Sequence, residues 1–169
     1  RVLKPFGLEY IQVDEGFQRW HGDWEGNDRF PHGMKWLADR IRALGLKPGI
    51  WLAPYVISEP TDVYREHPEW LLRHADGRPR RVGPWPSEDS DWARGEKVQR
   101  YGLDITHPGA AEWLSRLFDT VANRWGYDLI KVDFVEWSLL SAERYHDPTV
   151  TRAAAYRRGF EIMRAAMGP

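Results

Sequence analysis

Strand-like segments alternate with helical patterns along this chain, and this order constrains the fold more than any other feature. Three apolar segments rich in β-branched residues cover 8–14, 46–54 and 127–133. Each is followed by a stretch whose apolar residues recur at helical spacing. A βαβαβα series of this kind implies a parallel sheet with right-handed crossovers, so we expect an α/β domain.

The helices between these segments carry start and stop signals. The first helix is expected to bury one face formed by Leu37, Ile41 and Leu44. The second is expected to begin at the N-cap Thr106, with Pro108 in its first turn. These signals favour two crossover helices that pack on the sheet, and a last helix is expected to begin near Pro148 and to end at Gly168.

A (β/α)₈ TIM barrel explains the series better than an open, doubly wound sheet. Both folds place ligands at the carboxyl ends of parallel strands, but the open sheet usually carries a glycine-rich phosphate loop, which is missing here. A barrel needs about 250 residues and eight strands, whereas this chain offers about three βα units, with 103–105 as a further short strand. We therefore expect residues 1–169 to form part of one (β/α)₈ catalytic domain, with a long loop excursion at about 74–97.

Composition removes several classes of function. Lysine and arginine number 24 against 25 aspartates and glutamates, so no basic field exists for nucleic acid. No segment approaches the ~20 apolar residues of a membrane span. Cysteine is absent, which excludes disulfides and thiolate sites. The chain starts at Arg1 without a signal peptide, so we expect a cytoplasmic protein and a piece of a longer polypeptide.

The third strand-like segment ends in a charged pair. Side chains alternate along a strand, so Lys131 and Asp133 point to the same side. Charges on a buried strand are costly unless they are paired or used. Asp133 is therefore the candidate reactive carboxylate, although a structural ion pair with Lys131 is the alternative.

The other two strand-like segments also end in candidate site residues. Asp14 and Glu15 follow the first segment, and Trp51 lies in the second. Turn formation explains the two carboxylates equally simply, and core packing explains the indole. Aromatic residues make up 14% of the chain, and rings over a polar cleft suit sugar faces. The tryptophans in loops are further candidates for sugar subsites: Trp20, Trp24, Trp85 and Trp92.

The histidines do not predict a metal site. None of the six shows the paired spacing of ligands on one helix. His67 and His107 each precede a proline at a helix start, where capping or packing is expected. We expect neither a metal nor a cofactor.

Several motifs, taken in order, resemble the catalytic barrel of α-galactosidases of glycoside hydrolase family 36, also called melibiases. The matching segments are YIQVDEG (10–16), GDW (22–24), FPHGM (30–34), LADR (37–40), GIWLAP (49–54), EHPEWLL (66–72), LDITHP (103–108) and IKVD (130–133). The resemblance covers nearly the whole chain. It implies that the chain holds barrel strands two to four.

The resemblance also implies roles for the candidate residues. Asp133 would be the nucleophile that forms a covalent glycosyl-enzyme, and Lys131 would bind sugar hydroxyls and keep Asp133 ionised. Asp14 and Glu15 would bind hydroxyls, and Trp51 would line the sugar pocket. A retaining glycosidase of this kind uses one carboxylate to attack and a second as acid and then base.

Two departures and one absence qualify this resemblance. The family commonly has Asp-Asp-Gly-Trp where this chain has Asp14-Glu15-Gly16-Phe17, and Phe134 stands where many relatives have Met. The family's acid/base carboxylate lies on a later strand, so we expect the isolated chain to be inactive. The expected partners are a glycoside or oligosaccharide substrate and the remaining part of the barrel. Alternatives are an α-glycosidase or transglycosylase of other sugar specificity, and a non-catalytic carbohydrate-binding or structural half-barrel.

Overall fold

The computed structural model describes residues 4–82, 90–91, 96–136 and 138–168. The strands in these ranges are β1 (Tyr10–Val13), β2 (Gln18–Trp20), β3 (Asp23–Gly26), β4 (Lys47–Leu52), β5 (Val56–Ser58), β6 (Ser90–Asp91), β7 (Glu96–Lys97), β8 (Arg100–Gly102) and β9 (Leu129–Val132). The α-helices are α1 (Gly33–Ala43), α2 (Asp62–Glu66), α3 (Pro108–Asp119) and α4 (Arg152–Met167). Short 3₁₀ turns cover Lys4–Phe6, Pro68–Trp70 and Leu139–Ser141, and a π-helical turn, Thr120–Arg124, follows α3.

A three-stranded parallel sheet forms the centre of the fold. Its order is β1-β4-β9, with Val13 opposite Ile50 and Ile50 opposite Ile130. Helix α1 connects β1 to β4, α3 lies between β4 and β9, and α4 follows β9. The three βα units expected from the sequence are thus confirmed. Parallel strands joined by helices bring all three carboxyl ends to one edge of the sheet.

Two antiparallel pairs are inserted after β1 and β4. Strands β2 and β3 form a hairpin, and β5 pairs with β8. The segment 103–105 is not a named strand, although Leu103 bridges Leu71. Within the excursion at 74–97, β6 pairs with β7, while Trp85 and Trp92 lie outside the described residues.

The helices bury apolar faces, with two departures from expectation. Helix α1 buries Ile41, but Leu44 is exposed because it is the C-cap residue, beyond the last full turn. The N-cap of α3 is His107 and not Thr106, whose hydroxyl donates to the carboxylate of Asp104 instead. No described helix is long and apolar enough to cross a membrane.

Strand β9 is less buried than its sequence indicates. Leu129 is 40% exposed, and Ile130 and Val132 are only partly buried. Among the described residues β9 pairs with β4 alone, so one of its edges lies open. The expectation of a fully buried strand is therefore wrong for this chain.

Candidate active site

The carboxyl ends of β1, β4 and β9 bring four of the sequence-predicted residues together. Asp14 directly follows β1, Trp51 lies near the end of β4, and Asp133 directly follows β9. Register places Trp51 opposite Lys131 on the neighbouring strand. The parallel sheet thus assembles side chains that are up to 119 positions apart in the sequence.

Lys131 joins two carboxylates. Its Nζ donates to Asp14 Oδ2 at 3.0 Å and lies 3.6 Å from Asp133 Oδ2. The hydrogen bond to Asp14, with smaller contributions from both negative charges, raises the pKa of the ammonium above its usual value. Lys131 therefore stays protonated and places a fixed positive charge between the two acids.

Asp133 accepts hydrogen bonds at both oxygens. The indole Nε1 of Trp51 donates to Oδ2 at 2.9 Å, and the backbone N–H of Phe134 donates to Oδ1 at 2.9 Å. Burial by itself would raise the pKa of this carboxyl, but the Trp51 and Phe134 bonds and the charge of Lys131 together lower it. Asp133 is thus held as an oriented carboxylate at neutral pH.

Phe134 bends the chain immediately after Asp133. Its φ is 58°, the only positive value of a non-glycine residue among the described residues. This left-handed conformation is strained for an aromatic residue. The bend directs the Phe134 N–H to the Asp133 carboxylate, and the ring packs edge-on against Trp51 at 5.5 Å.

Trp51 forms an almost fully buried wall of the site. It is 1% exposed and contacts the rings of Trp24 at 6.0 Å and His21 at 5.8 Å between centroids. Trp20 and Trp24 are themselves buried, at 9% and 4% exposure. These two tryptophans lie in strands β2 and β3 and not in loops, and packing accounts for them better than a sugar subsite does.

The two carboxylates after β1 have different partners. Asp14 accepts from Gln12 Nε2 at 2.7 Å and from the Glu15 backbone N–H at 3.0 Å, in addition to Lys131. Glu15 turns to another side, where its Oε1 lies 3.1 Å from His21 Nε2. Glu15 is thus the one candidate that the structure does not bring to Lys131.

Two contributors to the site, Gln12 and His21, were missed in the sequence, and Phe134 was noted only as a departure from the family pattern. Gln12 could have been found, because it lies two residues before Asp14 and so on the same side of β1. His21 and Phe134 depend on loop geometry, for which the sequence carries no local signal.

Packing and capping explain His67 and His107. His67 stacks on Trp70 with centroids 3.8 Å apart, and His107 Nδ1 accepts the N–H of Gly109 at the start of α3. Both positions agree with the expected roles. The described residues contain no group of three or more histidines and carboxylates arranged to hold a metal ion.

Comparison with known families and curated proteins gives consistent matches. The sequence profile of the Melibiase family matches residues 6–163. A blood group A α-D-galactosamine galactosaminidase of Flavonifractor plautii is 30% identical over 172 aligned residues, which cover 95% of this chain and 15% of that protein. An α-galactosidase of Lactobacillus acidophilus is 28% identical over 80% of this chain and 17% of its own length. The chain thus spans less than a fifth of these relatives.

Solved structures extend the comparison to the fold. An α-galactosidase of Thermus thermophilus, in complex with p-nitrophenyl α-D-galactopyranoside, superposes with a TM-score of 0.76 at 37% identity. The match covers 99% of this chain and 32% of the Thermus chain. An α-galactosidase of Lactobacillus brevis shares the fold at 22% identity with a TM-score of 0.68, over 95% and 21% of the two chains. These matches confirm the expected fold class, an incomplete (β/α)₈ barrel.

Proposed function

The chain belongs to the Melibiase family, and we propose that it supplies the nucleophile and part of the sugar-binding wall of a retaining α-galactosidase. The observation that carries this proposal is the environment of Asp133. Its carboxylate is oriented by Trp51 and Phe134, lies 3.6 Å from the Lys131 ammonium and has a lowered pKa. A nucleophile needs this combination of ionisation and fixed direction.

In the proposed reaction, one oxygen of Asp133 attacks the anomeric carbon of the bound sugar. The bond from that carbon to the aglycone oxygen breaks, and a second carboxylic acid protonates the departing oxygen. Water, deprotonated by the same group, then releases the sugar from Asp133. We place this acid/base group outside the 169 residues, on a strand of the remaining barrel.

The neighbouring side chains suit the binding of hydroxyl groups. Lys131 can donate to a sugar oxygen while it stays beside both carboxylates, and Asp14 can accept from a hydroxyl. Trp51 packs behind Asp133, where its almost fully buried ring supports the sugar-binding wall. Glu15 is a further hydroxyl acceptor in this proposal.

The sugar is proposed to be an α-galactoside. The Thermus relative was solved with p-nitrophenyl α-D-galactopyranoside and with stachyose. A second candidate is an α-galactosaminide, because the Flavonifractor galactosaminidase is 30% identical over 95% of this chain. Glu15 is one methylene longer than the aspartate common in the family, so we propose it as a residue at which hydroxyl recognition differs from that of the relatives.

Replacement of the nucleophile tests the proposal. Asp133→Ala in the full polypeptide that carries this chain should abolish hydrolysis of p-nitrophenyl α-D-galactopyranoside, and azide should partly restore it as a glycosyl azide. Asp128→Asn is the matched control, because Asp128 lies at the opposite end of β9 and pairs with Arg42. It should keep full activity. Undiminished turnover in Asp133→Ala would refute the mechanism. Comparison of the hydrolysis rates of the α-galactoside and the α-galactosaminide identifies the preferred sugar.

A further inference from the structure

The hairpin after β1 buries a histidine that the proposed reaction does not use. The side chain of His21 is only 2% exposed. Its backbone is fixed as well, because the carbonyl of His21 accepts the N–H of Ser58 at 2.8 Å. A titratable ring so deeply buried is costly unless a partner compensates for its lost hydration.

Glu15 is that partner. Its Oε1 lies 3.1 Å from His21 Nε2, in contact with the ring but without the in-line geometry of a hydrogen bond. Within the described part of the chain, neither ring nitrogen of His21 makes a hydrogen bond. Ring packing therefore sets the position of the imidazole and holds its Nε2 beside the Glu15 carboxylate.

The ring packing ties His21 to the active site. His21 meets Trp51 edge-on, with centroids 5.8 Å apart and planes at 78°, and meets Trp24 in the same way at 6.0 Å. Trp51 in turn donates to Asp133. The Glu15 carboxylate is thus held beside the wall that orients the nucleophile.

The second oxygen of Glu15 remains available. Its Oε2 accepts no hydrogen bond from the described residues, and the side chain is 20% exposed. The backbone N–H of Glu15 donates to Asp14 Oδ1, which fixes the Asp14 carboxylate relative to the backbone of Glu15. One oxygen of Glu15 therefore faces the histidine while the other can accept from a ligand hydroxyl.

We propose that His21 is a positioning residue, which fixes the Glu15 carboxylate for contact with a sugar hydroxyl. A glutamate has one more rotatable bond than the aspartate common in the family, and the fixed imidazole compensates for that freedom. The inference rests on the proposed glycosidase function. It makes Glu15 and His21 a coupled pair that determines sugar affinity.

A double-mutant cycle tests the coupling. With p-nitrophenyl α-D-galactopyranoside and the α-galactosaminide as substrates, Glu15→Gln and His21→Leu should each raise KM for the preferred sugar. The expected increase is about tenfold, as for a weakened hydrogen bond to a charged group, with kcat changed much less. The double variant should be no worse than Glu15→Gln alone, because His21 acts only through Glu15. His32→Leu, on an exposed histidine before α1, is the matched control and should leave KM unchanged.

Direct binding separates positioning from a purely structural role. Calorimetry with 1-deoxygalactonojirimycin should show the same loss of affinity in His21→Leu and in the milder His21→Asn, at temperatures where circular dichroism shows both folded. Lower melting temperature with unchanged Kd and KM would overturn the proposal, as would losses that add in the double variant. Absence of turnover with either sugar in the unsubstituted full polypeptide that carries this chain would instead refute the glycosidase function itself.

Discussion

The charge on Asp133 depends on a small number of donors, of which Trp51 is the largest single one. Burial opposes ionisation, while the Trp51 indole, the Phe134 N–H and the Lys131 ammonium favour it and together lower the pKa. Trp51 also packs in the core, so it links the stability of the fold to the ionisation of the site. Substitutions that keep the ring but remove its N–H can separate these two roles.

Trp51→Phe should therefore raise the pKa of Asp133. The acid limb of the pH profile of kcat/KM should move to higher pH, because the carboxylate then takes up its proton at a lower proton concentration. We also expect kcat/KM at neutral pH to fall by about 10- to 100-fold, the worth of a hydrogen bond to a charged group.

The control for this prediction is Trp24→Phe. Trp24 packs against Trp51, and its indole N–H makes no hydrogen bond among the described residues, so Trp24→Phe should reduce thermal stability without moving the acid limb. If the acid limb were the same in Trp51→Phe and in the unsubstituted protein, the indole N–H would not control the ionisation of Asp133.

The sequence predicts the charged residues of the site better than the residues that hold them in place. Alternation along a strand was enough to place Lys131 and Asp133 on one side, and the strand ends supplied Asp14 and Trp51. The turn at Phe134 and the burial of His21 result from contacts between distant segments. Local sequence rules do not contain such contacts, so the roles of these residues could be found only in the structure.

At the scale of single elements, the N-terminus of α3 is sensitive to pH. The His107 Nδ1 accepts the N–H of Gly109, which requires that this nitrogen carry no proton. Burial, followed by the charge of the facing His146, lowers the pKa of His107 below 6.5 in the folded protein. The neutral form is thus favoured by folding.

We therefore predict that His107 stabilises the fold above about pH 6.5, the value for an unfolded chain. This contribution should be lost as pH falls from there through the lower folded pKa. His107→Asn retains a capping side chain that does not titrate. The free energy of unfolding in urea should differ less between pH 8 and pH 5 in this variant than in the unsubstituted protein. An equal difference in the two proteins would contradict the role of His107.

The packing of α4 depends on a glycine. A Cβ at Gly159 would clash with the hydroxyl of Tyr55, which is fully buried and has no hydrogen-bond partner among the described residues. Alanine normally favours a helix over glycine by about 1 kcal/mol. Here, Gly159→Ala should instead destabilise the protein by about 1–3 kcal/mol through overpacking.

Tyr55→Phe supplies the test of that explanation. Removal of the unpartnered hydroxyl should be nearly neutral on its own and should recover most of the loss in the Gly159→Ala background. The measurement is the free energy of unfolding in urea for the four proteins of the cycle. Additive effects would show that the hydroxyl is not the obstacle.

Element order was predictable because hydrophobic periodicity and helix signals are local. The ends of the elements were less predictable. The sequence favours a helix from Pro148, whereas α4 begins at Arg152 after the N-cap Thr151. Proline and threonine are both compatible with a helix start. The choice is made by packing of the preceding segment, which local signals do not describe.

On the scale of the whole molecule, the parallel sheet ends in two open edges. Among the described residues, β1 and β9 each pair only with β4, so each has one row of unpaired backbone groups. Apolar side chains beside these edges are exposed: Ile11 at 38% and Leu129 at 40%. In the proposed full barrel, further strands would cover both edges.

The 169-residue chain by itself should therefore self-associate through these edges. Unpaired edge strands with apolar side chains pair with strands of other chains, and lysine at such an edge prevents this pairing. Ile11→Lys with Leu129→Lys should keep the chain monomeric over a concentration range in which the unsubstituted chain gains mass by light scattering after size exclusion. Leu44→Lys is the matched control, since Leu44 is 57% exposed at the end of α1, away from the sheet. If Leu44→Lys suppressed association as much as the two edge lysines did, the added positive charge and not the loss of edge pairing would be responsible.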